Sequence, residues 1–105
     1  MDISIFTAEE QQAMKRVVAY ALVTWDWESQ TLFGPEQSEF QDVLDGWPNS
    51  LNAQTALYFV HQPLNYFING GGMKDPEAIE RFGLSRLKCE ALMEKIDSAA
   101  GHDRQ

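Results

Sequence analysis

Residues 7–25 read TAEEQQAMKRVVAYALVTW, and this stretch decides the fold. Thr7 and Glu10 form the S/T-x-x-E pattern of a capping box, in which a hydroxyl and a carboxylate each satisfy a backbone donor at a helix start. The spacing predicts a helix of about five turns. Met14, Val17, Val18, Ala21, Leu22 and Trp25 recur at threes and fours, so they share one stripe that faces a core. Tyr20, Val23 and Trp27 fall on roughly the opposite face, with Arg16. A helix apolar on two sides is either sandwiched between neighbours or offers its second face to a partner.

Outward from this helix, punctuation divides the chain into further helical segments. Gly34-Pro35 precedes Phe40, Val43, Leu44 and Trp47, which follow the i, i+3, i+4, i+7 rule, and Gly46 and Pro48 stop that second helix. From Ser50 to Asn69, Ala53, Ala56, Leu57, Val60, Leu64 and Phe67 make one face, while Phe59 and Tyr66 make another, so this helix belongs in the middle of the domain. Pro63 predicts a kink near Phe59 to Gln62 or a break into two helices. Gly70-Gly71-Gly72 ends it, Asp75-Pro76 starts a short helix through Phe82, and Ser85 caps a last helix with Cys89, Leu92, Met93, Ile96 and Ala99 inward. Strand signals are weak throughout. The expectation is an all-α, irregular or orthogonal bundle of about five helices, a single domain over 1–105 with flexible tails at 1–6 and 101–105.

Charge is distributed as unevenly as hydrophobicity is regular. The 105 residues hold 16 acids and 8 bases, and the part before Ser50 contributes −7 of the net −8. Between Val17 and Met73 there is no lysine or arginine, yet Asp26, Glu28, Glu36, Glu39, Asp42 and Asp45 lie there. Such a field attracts cationic partners and repels phosphate. On the second helix Glu36, Glu39 and Asp42 follow one another at threes with Asp45 beyond, and the last two oppose the helix dipole. That conflict with stability is a mild sign of function.

Motifs that would carry catalysis are missing. His61 lies in the uncharged central helix and His102 near the end, with no His-x-x-x-His, Cys-x-x-Cys or Glu-x-x-His pattern to gather metal ligands, so His61 reads as structural before catalytic. The single cysteine, Cys89, excludes an intramolecular disulfide, fits a reducing compartment, and reads as a small core residue. Gly70-Gly71-Gly72-Met73-Lys74 lacks the preceding strand and the Lys-Ser/Thr pair of a phosphate loop. Asp26 and Glu28 beside Trp25 and Trp27 are raw material for a sugar site without its geometry. No cofactor and no metal are implied.

Nucleic-acid binding requires a basic footprint, and the one local cluster, Lys74, Arg81, Arg86 and Lys88, is interleaved with Asp75, Glu77, Glu80 and Glu90. Polar residues interrupt the uncharged 46–72 stretch too often for a membrane span, and the N-terminus shows no secretory signal, so a cytoplasmic location is expected. What remains is a protein-binding surface made of Tyr20 and Trp27 with Asp26, Glu28, Glu36, Glu39, Asp42 and Asp45, suited to a basic protein partner. Its size, acidity and want of catalytic motifs resemble, in type, the immunity proteins and antitoxins that neutralise toxic enzymes. That resemblance implies an inhibitor rather than an enzyme. The alternatives are a homo-oligomeric or adaptor module using the aromatic face, and a small-ligand binder or enzyme centred on His61.

Overall fold

Capping chemistry starts the first helix where its sequence pattern places it. In the computed structural model, which describes residues 3–103, helix α1 spans Ala8–Val23. Thr7 Oγ1 accepts from the Glu10 amide at 3.0 Å and Glu10 Oε1 accepts from the Thr7 amide at 2.9 Å. Met14, Val17, Val18 and Ala21 are fully buried. The helix stops two residues before Trp25, and Thr24 closes it by donating its hydroxyl to the Tyr20 carbonyl at 2.8 Å. Trp25 is thereby free to turn inward onto Phe33 and Phe40. Trp27 is not on the helix, so the opposite face proposed from periodicity ends with Val23.

A short helix α2, Ser29–Phe33, lies in what the sequence reads as a connection. Helix α3 follows over Gln37–Asp45, buries Phe40 and Val43 against α1, and ends at Gly46 before a cis Trp47–Pro48 bond. Residues 53–70 form one continuous helical run, α4, so Pro63 does not break it into two helices. The chain absorbs the missing proline N–H by widening: Ala56–His61 and Tyr66–Gly70 bond i→i+5, with Gln62 N–H reaching the Leu57 carbonyl. Helix α5, Asp75–Phe82, ends at Gly83, whose φ of 80° is the left-handed cap that glycine adopts without strain. Asp75 Oδ1 accepts from the Arg86 amide at 2.8 Å, joining Ser85 at the start of α6, Arg86–Asp103.

The fold is all-α, and the described residues contain six helices and no strand. Helices α1 and α4 occupy the centre, with α3 and α5 against α1, and α2 and α6 against α4. One continuous core joins them, from Phe6 and Met14 to Ile96. Phe6, assigned to a flexible tail from sequence, is 2% exposed, because Ile3–Ile5 forms a 3-10 turn that delivers it to the core. At the other end the helix runs on through residue 103 rather than fraying at Gly101; residues 1–2 and 104–105 of the expected tails lie outside the described residues.

The start of α1 is tied to α6 by Lys95, which donates to Glu10 Oε1 at 2.8 Å and to the Ile5 carbonyl at 3.1 Å. Burial pushes the Glu10 carboxyl upward, but hydrogen bonds from Lys95 and Thr7 and the lysine charge outweigh it and leave the group below its ordinary 4.5. A carboxyl depressed in the folded state contributes stability above its unfolded pKa and loses it as pH falls through the folded value. Glu10→Gln keeps an acceptor and removes the charge, so it should cost about 0.5–1 kcal/mol at pH 7, modest because the lysine is partly solvated. Urea midpoints of the two proteins should converge as pH falls below 4.5 and through the depressed folded value, and a gap that did not narrow at all on acidification would contradict this account.

Candidate partner-binding face

Two local hydrogen-bond motifs shape the acidic face. After α1 the chain makes a turn over residues 26–29 in which Asp26 and Ser29 hold each other. The Asp26 amide donates to Ser29 Oγ at 2.9 Å, Ser29 Oγ donates to Asp26 Oδ1 at 3.3 Å, and the same oxygen accepts from the Glu28 amide at 2.9 Å. Ser29 is buried, whereas Trp27, at the apex, is 87% exposed. An indole in water on a turn fixed from both sides is an unusual use of the largest apolar side chain. The second motif starts α3, where Glu39 Oε2 accepts from the Glu36 amide at 2.7 Å.

All six acids of the base-free stretch are exposed, and no ion pair among the described residues involves any of them. Asp26 and Glu39 double as the local caps just described, and Asp45 Oδ1 accepts from Gln41 Nε2 at 2.9 Å. Elsewhere carboxylates do find cations: Lys88 pairs with Glu9 at 3.7 Å, Lys95 with Glu10. The asymmetry expected from the sequence is therefore a surface property of the folded chain.

Tyr20 is not the exposed anchor that the sequence suggested. It is half-buried, edge-on to Phe67 at 4.9 Å and to Phe82 at 5.6 Å, with the Arg81 guanidinium 5.4 Å from its ring centre. One side of it lines a pocket of about 210 Å³ with Thr24, Asp26, Leu32, Phe33 and Tyr66. A second pocket, of about 460 Å³, opens on the far side of Phe33 between Pro35, Glu39, Tyr58, Phe59 and Gln62. Leu32, Tyr58 and Tyr66 are 43%, 44% and 38% exposed and had no place in the site read from sequence. The missed signal is the register of α4: a wide i→i+5 turn advances each residue by less than the about 100° of an α-helix, bringing residues four and eight apart toward one line. Tyr58, Gln62 and Tyr66 have that spacing.

The two residues considered for chemistry are otherwise engaged. His61 Nε2 lies 3.1 Å from Asp97 Oδ2 across the α4–α6 seam. The carboxylate is an acceptor, so Nε2 carries the proton there, and Nδ1 is buried with no hydrogen-bond partner among the described residues. Neither pocket of this face includes His61. Cys89 is fully buried, its Sγ donating to the Leu84 carbonyl at 3.8 Å. Burial and the charges of Asp75 and Glu90, against Arg86, push its thiol up to about 11, which keeps it a thiol rather than a nucleophile. Among the described residues no cluster of three or more His, Cys, Asp or Glu side chains is placed to hold a metal, and no helix is long and apolar enough to cross a membrane. Comparison with protein-family models, with curated proteins and with solved structures found no match to this chain.

Proposed function

We propose that this protein binds a basic protein partner and acts as its inhibitor, in the manner of an immunity protein or antitoxin. The observation that carries the proposal is Trp27, 87% exposed on a hydrogen-bonded turn between Asp26 and Glu28. Tryptophan supplies much contact area for little side-chain entropy, and a fixed backbone lowers the ordering cost of using it. The unmatched carboxylates, Asp26 and Glu28 beside it and those of α3, would steer a cationic surface into place and disfavour acidic competitors. Self-association through the same face is disfavoured, because a two-fold contact sets each acidic patch against its own copy.

The test is co-purification at low and high salt, followed by affinity measurement on the protein recovered. Glu28→Lys and Asp42→Lys change two carboxylates whose side chains accept no hydrogen bond among the described residues. The pair should weaken binding about tenfold at low salt and flatten its salt dependence. A partner that bound the double variant with unchanged affinity and salt response would overturn the proposal.

A further inference from the structure

The pockets on either side of Phe33 share a wall and a sign of charge. Each has one carboxylate in its lining, Asp26 in the smaller and Glu39 in the larger, and neither is lined by a lysine or arginine. Arg81 does not line the smaller pocket; its guanidinium stands over the Tyr20 ring, 5.4 Å from the ring centre. The groove between Thr7, Leu84 and Ala91 is different in kind, since its Lys88 and Lys95 are already matched by Glu9 and Glu10.

The walls are preformed. Phe33 is edge-on to Tyr66 and to Phe67, at 5.8 Å each, and Phe59 is braced on Phe40 at 4.8 Å. Tyr58, Gln62 and Tyr66 extend along α4 past both openings, in the register that the i→i+5 turns create. At about 210 Å³ the smaller pocket is below the range of about 300–1,000 Å³ usual for small-molecule sites, and it suits single side chains. The larger, at about 460 Å³, could take a bulkier group, and because the two pockets share Phe33 and each has an acid in its lining, together they suit a chain segment that places a side chain in each.

We propose that these pockets receive one exposed segment of the basic partner, with an apolar side chain entering on each side of Phe33 and lysine or arginine residues reaching Asp26 and Glu39. This rests on the binding reading above and locates it: the segment lies across α2 and α4, next to the turn that carries Trp27. Charge complementarity commits the occupant, since a segment bearing carboxylates would set them against Asp26 and Glu39, the charged residues in the two linings.

The probe is a library of random dodecapeptides displayed on phage and panned against the folded full chain. Selected peptides should combine lysine or arginine with leucine, phenylalanine or tryptophan. Tyr66→Ala and Tyr58→Ala should each weaken a selected synthetic peptide about tenfold, and Asp26→Asn and Glu39→Gln, which retain the capping acceptors, about threefold, with circular dichroism confirming that each variant folds. Enrichment of acidic or uncharged sequences, no enrichment at all, or peptides indifferent to all four substitutions would overturn the groove. A natural partner that responds to Trp27→Ala and Glu28→Lys but to none of the four would likewise overturn the groove and leave the binding function standing.

Discussion

Replacing Phe40 with alanine is expected to lower the unfolding free energy by about 3–5 kcal/mol, a large part of the roughly 5–15 kcal/mol available to a domain of this size. Phe40 is 0% exposed and stands where three elements meet. Its ring contacts Trp25 beyond α1 at 5.4 Å, Phe33 of α2 at 6.0 Å and Phe59 of α4 at 4.8 Å. Truncation removes the transfer energy of the ring and opens a cavity. The neighbours that would have to collapse into it are themselves large rings held by further contacts, Phe33 by Tyr66 and Phe67, so relaxation is limited. Phe40→Leu keeps much of the volume and should cost less than half as much. Urea unfolding followed by circular dichroism measures both, and a loss below about 1 kcal/mol for the alanine variant would mean that the cluster does not act as the joint between α1, α2 and α4.

The same cluster marks the limit of what periodicity reveals. The inward stripe from Met14 to Ala21, the stop at Gly46, the short helix opened by Asp75-Pro76 and the buried face around Cys89 follow from local pattern, and the structure places them as that pattern predicts. Helix α2 escaped because five residues contain too little repeat to declare themselves; its signal is the Asp26–Ser29 pairing, a turn-forming device rather than a periodicity. An α-helical rotation extended past Thr24 would put Trp27 on the face of α1, but hydrogen bonding ends the helix there. Tyr58 and Tyr66 escape an α-helical reading for the converse reason, since α4 continues through Pro63 with a different rotation per residue. The acids needed no geometry, because a stretch without a single base cannot neutralise its own carboxylates locally. Only their cross-helix pairing was undetermined, and the fold brings no described cation within ion-pair distance of them.

Trp27→Ala should separate binding from folding more cleanly than any other substitution. The side chain is 87% exposed, so its removal takes little from the core, and the bonds that define its turn run between Asp26, Glu28 and Ser29. Stability should therefore change by no more than about 0.5 kcal/mol, as at ordinary surface positions. Affinity for the proposed basic partner should fall about 30-fold, because truncation of a central aromatic anchor typically costs about 2 kcal/mol or more. Trp27→Phe should recover part of the loss, since a ring restores apolar contact without the indole N–H. The indole also reports on itself: Trp25 and Trp47 are partly buried, so Trp27 is the one most solvated, and a blue shift of emission on binding should vanish with its removal. Unchanged affinity in Trp27→Ala would leave the exposed indole without a role and remove the observation on which the inhibitor reading stands. A large loss of stability instead would show that the turn depends on the ring, and would shift the explanation from recognition to folding.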